Sequence, residues 1–232
     1  MKKSQIYEIE VFQKIKQDTL EKILQVGKIM KYRKGTVLMR AREPVTLICF
    51  QLSGKSIIYN LTHTGRRKIL FVCGKGALLN YNLLNNYDSP VFCETIDESQ
   101  VLVIPVKDFI KMMADDFTLT KYVLEMQERK IWRLSHQLKN TTGCILLERK
   151  LAAKLWKLAR DFGVETDEGI EIDLNMSITF LADMLGTSRE TTSRICSTFI
   201  EAGLIKINKK RVTICNPAKI AEFYKSGKMN GL

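Results

Sequence analysis

The sequence has no long apolar run. No stretch approaches the roughly 18 consecutive apolar residues that a membrane-spanning helix requires. The first residues, 1–10, carry two lysines with no apolar run behind them, so they do not resemble an export signal. We therefore expect no contact with a membrane and a location in the cytoplasm.

Histidine is scarce, and the common catalytic motifs are missing. The two histidines, His63 and His136, are too few for the several-histidine metal sites of jelly-roll enzymes. The sequence contains no P-loop, no GxGxxG and no Ser/His/Asp order of the hydrolase type. We expect neither an enzyme nor a metal site, and we expect no cofactor.

The six cysteines are widely separated and form no CxxC pair. Four of them, Cys49, Cys73, Cys93 and Cys215, have apolar or β-branched neighbours, where a reduced cysteine usually acts as a small core residue. A reducing compartment fits this pattern. A thiol sensor stays open as an alternative, although no cluster of charges supports one.

Basic residues outnumber acidic ones. There are 37 Lys and Arg against 25 Asp and Glu, which gives a formal net charge of +12 and favours polyanionic partners. The excess continues in the last part of the chain, where residues 186–232 hold nine basic and three acidic side chains. A nucleic acid is the partner that this distribution favours, although a basic face is often only solvated.

Residues 31–105 have the pattern of a β domain. Short apolar or β-branched runs alternate with glycine turns, and 62–65 resembles a hairpin loop. The expected strands are 36–39, 47–52, 55–61, 68–73, 91–96 and 101–104. This spacing predicts an antiparallel jelly roll, flanked by helical segments at 15–26 and 109–113.

A long helix is expected next, because residues 119–138 contain neither glycine nor proline. Leu124, Ile131, Leu134 and Leu138 repeat along it at intervals of seven and three, interrupted only by the polar Gln127. Such a stripe packs either on its own β domain or against a second copy of the chain. We favour a homodimer, because symmetric dimers are the commonest oligomers.

The last third contains a helix-turn-helix pattern. A short amphipathic helix at 178–185 is followed by a turn and a second helix at 190–202, with Ile195, Phe199 and Ile200 expected to face inward. Thr187 and Glu190 fit a capping box, and Ser188 is the alternative N-cap.

The first turns of the second helix carry side chains suited to a major groove. Arginine offers two donors to guanine and glutamate accepts from cytosine, whereas a carboxylate would repel phosphate. The segment 203–214 follows and resembles a two-stranded wing with a cationic tip. The expected DNA-contacting residues are Thr187, Ser188, Arg189, Glu190, Thr191, Ser193, Arg194, Lys209, Lys210 and Arg211. An ordinary surface helix of mixed charge is the alternative, and it leaves the wing unexplained.

Over nearly its whole length the chain resembles the Crp/Fnr family of bacterial regulators. The most specific likeness is the segment 188–195, which is close to the family's recognition-helix signature, and Gly54, Gly65 and Gly76 fall at the family's spacing. Arg42 replaces a glycine that is usual in the family. The resemblance implies an α+β chain with three parts: an effector-sensing jelly roll at 1–116, a dimerisation helix and hinge at 117–142, and a winged helix-turn-helix at 143–232.

The resemblance also implies what the recognition helix binds. Arg189, Glu190 and Arg194 match the base-contacting positions of the cyclic-AMP receptor branch, whereas Ser193 matches the Fnr branch. Both branches recognise half-sites with a TGA core. We therefore expect binding to double-stranded DNA at an inverted repeat with TGA in each half-site, and activation through contact with RNA polymerase.

The same resemblance indicates an effector other than cyclic AMP. Tyr81 stands where the cyclic-AMP receptor has its ribose-binding glutamate, and Asp88-Ser89 replaces its phosphate-binding Arg-Ser pair. No cysteines cluster near the N-terminus for an iron-sulfur centre, since the first is Cys49. The expected contacts of an unidentified small-molecule effector are Asn80, Tyr81, Asn82, Leu83 and Ser89. Two alternatives stay open: a regulator without an effector, and a ligand-binding module that does not contact DNA.

Overall fold

The computed structural model describes residues 2–84, 88–139 and 146–226, and it divides the chain into two compact units. The first unit consists of 1–62 and 69–135, and the second of 63–68 and 136–232. Residues 140–142 of the predicted dimerisation helix and hinge lie outside the described residues. None of the helices in the described ranges combines the length and the hydropathy that crossing a bilayer demands.

The first unit contains seven strands and most of five helices. In chain order they are α1 Lys2–Tyr7, α2 Glu10–Lys14, α3 Gln17–Val26, β1 Lys28–Tyr32, β2 Val37–Met39, β3 Leu47–Ser53, β4 Ser56–Leu61, β5 Arg67–Cys73, β6 Phe92–Thr95, β7 Ser99–Pro105, α4 Val106–Asp115 and α5 Phe117–Lys139. The strands form two antiparallel sheets, with the orders β1-β7-β3 and β2-β6-β4-β5. The six predicted strands and the long helix are confirmed, whereas the sequence pattern did not reveal β1, α1 and α2.

The sheet β1-β7-β3 is packed on both of its faces. Along β7, Val101 and Val103 point into an apolar cluster with residues of the other sheet, such as Ile58. Leu102 and Ile104 point the other way, into a cluster shared with the flanking helices. Successive side chains of a strand alternate between its faces, so two packed faces require an unbroken apolar run. This explains why β3 and β7 lack the polar alternation of a half-exposed strand.

A buried carboxylate begins the long helix. Asp116 directly precedes α5, and its Oδ1 accepts hydrogen bonds from the backbone N–H groups of Thr118 at 3.0 Å and Leu119 at 3.4 Å. Its Oδ2 accepts from the N–H of Lys16 at 2.8 Å. Asp116 therefore satisfies open donors at the helix N-terminus and ties the start of α3 to it.

The second unit is a winged helix-turn-helix. Its elements are α6 Leu147–Phe162, β8 Gly163–Thr166, β9 Gly169–Ile172, α7 Ile178–Leu185, α8 Arg189–Glu201, β10 Ile205–Asn208, β11 Arg211–Ile214 and α9 Pro217–Ser226. The four strands form one antiparallel sheet of order β10-β11-β9-β8. The predicted helix 178–185 has the predicted bounds, and the predicted α+β class is confirmed.

Candidate nucleic-acid interface and effector site

The turn between α7 and α8 is fixed by caps at both ends. Ser177 accepts a hydrogen bond from the N–H of Phe180 at 3.1 Å and begins α7. Gly186 ends it with φ of 74°, a left-handed conformation that favours glycine, and donates to the carbonyl of Ala182 at 2.7 Å. The start of α8 therefore has a defined position relative to α7.

Ser188 is the N-cap of the recognition helix α8. Its hydroxyl oxygen accepts from the N–H of Thr191 at 3.1 Å, and its carbonyl accepts from the hydroxyl of Thr192 at 2.9 Å. The preferred capping box of Thr187 with Glu190 was wrong, because the helix begins one residue later than that box requires. The alternative N-cap is confirmed.

The exposed surface of α8 carries the predicted DNA-contacting side chains Arg189, Glu190, Ser193 and Arg194. The opposite surface buries Ile195, Cys196 and Phe199. Ile200 was predicted to face inward, but its side chain is 45% exposed. The prediction failed because five residues of helix separate it from Ile195, which rotates it away from the buried stripe.

Glu190 stays ionised at neutral pH. Its pKa is lowered by hydrogen bonds from its own backbone N–H and from the Ser188 hydroxyl, and the neighbouring Arg189 adds to the effect. A carboxylate held in the first turn of a helix is an acceptor only. It can therefore accept from a cytosine amino group, and it disfavours a position against phosphate.

The wing lies on β10 and β11, which pair in antiparallel register from Ile205 with Ile214 to Asn208 with Arg211. Lys209 occupies the turn between them with φ of 56°, and both Lys209 and Lys210 are exposed. The guanidinium of Arg211 instead forms an ion pair with Asp173. Of the three predicted wing contacts, the two lysines are therefore the cations that point to solvent.

Most side chains of the predicted effector contacts are engaged by other groups of the protein. Asn80 is fully buried, and its amide joins the backbone of β3 by accepting from Cys49 N at 2.7 Å and donating to Leu47 O at 2.9 Å. The other side chains are engaged similarly: Asn82 donates to Asp88 O at 2.7 Å, Ser89 donates to Val91 O at 2.7 Å, and Leu83 lies in the helix-facing core. These four side chains are therefore held by contacts within the protein.

Tyr81 differs from these neighbours. Its hydroxyl is buried and has no hydrogen-bond partner among the described residues. Its ring packs on Phe71, with centroids 6.3 Å apart, and the ammonium group of Lys130 lies 4.4 Å from its ring centroid. Burial raises the pKa of the hydroxyl, with smaller effects from Cys73 and Cys93, so it remains a proton donor.

Sequence reasoning missed Lys130, which lies on α5. Its Nζ donates to the carbonyl of Asn80, and Gln127, one turn earlier, donates to the carbonyls of Asn80 at 3.4 Å and Tyr81 at 3.3 Å. Burial lowers the pKa of Lys130 to about 8. In the sequence pattern Gln127 is only a polar interruption of the apolar stripe. Residues 127 and 130 nevertheless lie on one helix face, from which both donate to the loop after β5.

The four apolar residues predicted to form a stripe along α5 differ in their exposure. Leu124, Ile131 and Leu138 are exposed, Ile131 to 63%, and so is Trp132, which the spacing rule did not select. Leu134 was predicted to belong to the same seam, but it packs on the apolar cluster of its own β sheets. Leu134 is only partly buried by this contact, so its place in the dimer seam stays a prediction.

Nothing in the described part of the chain groups three or more His, Cys, Asp or Glu side chains as a metal site would. Cys49, Cys73 and Cys93 are buried free thiols. Burial raises the pKa of Cys49 to about 12 and that of Cys73 to about 11, so neither is a reactive thiolate at neutral pH. Cys144 lies outside the described residues.

Comparisons with known proteins agree with both halves of this architecture. The family profile described as a cyclic nucleotide-binding domain matches residues 29–116, and the profile described as a Crp-like helix-turn-helix domain matches residues 149–223. The chain is thus a transcription regulator that binds DNA through its helix-turn-helix.

Similar proteins of known role support the assignment to transcription regulators. The chain is 26% identical over 219 residues to the anaerobic regulatory protein of Pasteurella multocida, covering 92% of this chain and 77% of that protein. It is 25% identical to the fumarate and nitrate reduction regulatory protein of Escherichia coli, covering 88% and 81%. The structure of FixK2 from Bradyrhizobium japonicum superposes with a TM-score of 0.74 at 19% identity, covering 85% and 96%. The chain belongs to the Crp/Fnr family, whose members are transcription regulators and not enzymes, and generally act as dimers.

Proposed function

We propose that this chain is a homodimeric, sequence-specific regulator that binds an inverted repeat and is switched by a small molecule other than cyclic AMP. The observation that carries the DNA-binding part is the exposed set Arg189, Glu190 and Arg194 at the capped start of α8. An exposed carboxylate between two arginines fits the donor and acceptor groups of base edges better than a row of phosphates.

The half-sites are proposed from the family resemblance. Glu190 and Arg194 match the residues that both the cyclic-AMP receptor and Fnr branches share, so each half-site should contain TGA. Two recognition helices in a symmetric dimer place the half-sites about one helical turn apart. Activation through contact with RNA polymerase, in the cytoplasm, is proposed on the same resemblance.

Selection from random duplexes tests this proposal. The full chain should enrich an inverted repeat with TGA in both halves, at a spacing of about 10 bp. A non-palindromic product, or one without TGA, would contradict the proposal. Competition with unrelated DNA at fixed salt is the control, because phosphate contacts alone bind any sequence.

The proposal that a small molecule switches this protein rests on Tyr81, in the loop after β5. Its buried hydroxyl has no hydrogen-bond partner among the described residues. Cyclic AMP fits poorly, because the carboxylate of Asp88 occupies the position that the resemblance assigns to phosphate binding and would repel an anion there. In solution, cyclic AMP should leave both the melting temperature and the operator affinity unchanged.

A second candidate is a regulator of the same fold without an effector. It is favoured by the hydrogen bonds of Asn80, Asn82 and Ser89, whose side chains bond to groups of the protein itself. Protein purified free of small molecules would then bind its operator at full affinity, and Tyr81→Ala would leave that affinity unchanged.

A further inference from the structure

The turn of the wing is joined to the segment that precedes α7. Residues 209–210 form this turn between β10 and β11, and the carbonyl of Lys210 accepts a hydrogen bond from the N–H of Met176 at 2.7 Å. Met176 is buried and directly precedes Ser177, the N-cap of α7. The backbone of the wing turn is therefore tied to the start of the helix-turn-helix.

A second tie lies one residue further along the wing. In the antiparallel pairing of β11 with β9, Val212 lies opposite Ile172. The next residues outward, Arg211 and Asp173, form an ion pair through their side chains. Opposite charges on directly opposed positions of neighbouring strands attract one another, so this pair fixes the end of β11 to the end of β9.

The backbone around Asp173 is itself held in place. Its N–H donates to the carbonyl of Phe162, the last residue of α6, at 2.8 Å. The residues on either side of it, Ile172 and Leu174, are buried. The carboxylate therefore starts from a packed part of the domain, and through Arg211 it reaches a turn that is exposed.

The two lysines of the turn have no comparable anchor in the part of the chain that the structure describes. Lys209 and Lys210 are exposed, and neither forms an ion pair with a described residue. Lysine has a flexible stem of four carbons. Ordering such side chains and their turn on binding costs conformational entropy, so contacts that already hold the turn make binding more favourable.

The carboxylate of Asp173 can affect DNA binding in two opposite ways. By its charge alone, an acid near the wing turn repels phosphate, and its removal should strengthen binding to any duplex. By its position, it limits the movement of the turn, and its removal should weaken binding. The hydrogen bond from Met176 to the carbonyl of Lys210 favours the second effect, because both ties end at the same turn.

We propose that Asp173 and Arg211 are positioning residues of the DNA interface, which hold the wing turn beside the start of α7. Lys209 and Lys210 are thereby kept in place for contact with the DNA backbone. Arg211 acts within the protein and is not a third phosphate contact. This inference rests on the proposed phosphate contacts of the two lysines, and it requires neither an effector nor a particular half-site sequence.

Fluorescence anisotropy of the full chain tests the proposal on the tightest duplex that selection recovers, whatever its sequence. Asp173→Asn keeps the shape of the side chain and removes its charge. It should weaken binding by about three- to fivefold for each wing, which is the most that a partly exposed ion pair contributes. The slope of log affinity against log salt should also decrease, because fewer phosphates are neutralised. Unchanged or stronger binding would overturn the proposal.

Exchange of the two charges separates position from the number of charges. Asp173→Arg and Arg211→Asp should each weaken binding, and the chain with both changes should recover most of the loss, because the ion pair forms again with its ends exchanged. If only the number of charges mattered, Asp173→Arg would strengthen binding. Single effects that simply add in the double variant would show that the two residues are not coupled and would contradict the proposal.

Glu168→Gln is the matched control, since it removes one negative charge from another ion pair of the same domain. Glu168 lies in the turn between β8 and β9 and pairs with Lys206 of β10 at 2.8 Å, with both side chains exposed. The variant should bind within about twofold of wild type and with the same salt slope. Asp173→Glu keeps the carboxylate and should retain most of the affinity that Asp173→Asn loses, which a loss through unfolding would not explain.

The two lysines separate this inference from the contacts on which it rests. Substitution of both Lys209 and Lys210 by alanine should weaken binding and lower the salt slope by about two. In that background Asp173→Asn should cause no further loss, because it acts through those side chains. An effect of the lysine changes without an effect of Asp173→Asn would leave the phosphate contacts standing and refute the positioning role. No effect of the lysine changes would refute the phosphate contacts, and the positioning role with them.

Discussion

Glu190 is the residue from which we expect base discrimination. It is exposed in the first turn of α8, and its lowered pKa keeps it ionised. Glu190→Ala should reduce the preference for the TGA half-site over single-base variants by about 1 to 3 kcal/mol per half-site, because an acceptor to one base edge is lost. Competition binding with a series of duplexes that differ at one base pair measures this loss.

Lys209 is the matched control for that measurement. It is exposed at the tip of the wing, where a cation interacts with phosphate. Lys209→Ala should weaken all duplexes alike and reduce the slope of log affinity against log salt by about one. If the two substitutions had the same effect on every sequence, the division into base and phosphate contacts would be wrong.

The sequence pattern predicted the positions of some functional residues but not of others. The pattern placed Arg189, Glu190 and Arg194 on an exposed face because their spacing and the turn before them are local. It did not find the contacts of Lys130, and it did not show that Leu134 packs on the β sheets, because their neighbours come from the loop after β5 and from the sheets. Periodicity selects the faces of a helix, whereas the partner of each face depends on residues distant in the sequence.

Arg42 is a residue at which the family comparison and the structure agree. It has φ of 67°, in the left-handed region where the family usually has glycine. Its N–H donates to the carbonyl of Ser89 at 2.8 Å, which keeps the turn closed despite the larger side chain. An arginine thus adopts, at this turn, the left-handed conformation that glycine favours.

At the level of elements, the start of α5 depends on Asp116. Its carboxylate accepts from the N–H groups of Thr118, Leu119 and Lys16. Asp116→Ala should lower the free energy of unfolding by about 1 to 2 kcal/mol, because the cap is lost. Urea denaturation measures it, and Glu128→Gln, at an exposed position of the same helix, should change stability by less than about 0.5 kcal/mol.

The stabilisation that the Asp116 cap contributes should decrease at low pH. Burial alone would raise the pKa of Asp116, but hydrogen bonds from Lys16, Thr19, Leu119 and Thr118 outweigh it, and the pKa lies below its ordinary value of 3.8. The stabilisation is therefore present above pH 3.8 and is lost as the pH falls through the folded pKa. The difference between wild type and Asp116→Ala should shrink at low pH, and a difference that grew there would contradict this assignment.

Elements with strong local signals were predictable, and elements formed by distant pairing were not. The bounds of α7 follow from an apolar stripe between Ser177 and Gly186, both of which cap it. By contrast, β1 is partly exposed and exists through its pairing with β7. The strands β8 and β9 are four residues each and pair with one another, and β9 also pairs with β11. Short, partly polar strands have too few residues for a period to show.

At the level of the whole molecule, α5 presents apolar side chains to solvent in the single chain. Leu124, Ile131, Trp132 and Leu138 are exposed, which suits a helix that pairs with its copy in a dimer. If the proposed dimer forms through this helix, Ile131→Asp should convert it to monomers, because the seam would then bury a carboxylate from each copy. Light scattering at several concentrations measures this.

Thr118→Asp is the control for the dimer experiment. It adds one negative charge at an exposed position in the first turn of α5, where the helix dipole tolerates an acid, and it should leave the dimer intact. A wild-type chain that is already monomeric, or an unchanged dimer in Ile131→Asp, would contradict the proposed seam.

The two packed faces of β7 limit the substitutions that the protein can accept. Val101 and Val103 lie in one apolar cluster, while Leu102 and Ile104 lie in the other. A polar residue introduced at any of these four positions would be buried on one face of β7 or the other. A one-residue shift in register would not remove the free-energy cost of burying it, because the opposite face is buried as well. The strand therefore has no neutral face on which its sequence can drift, and divergence of the β unit is directed to its exposed loops.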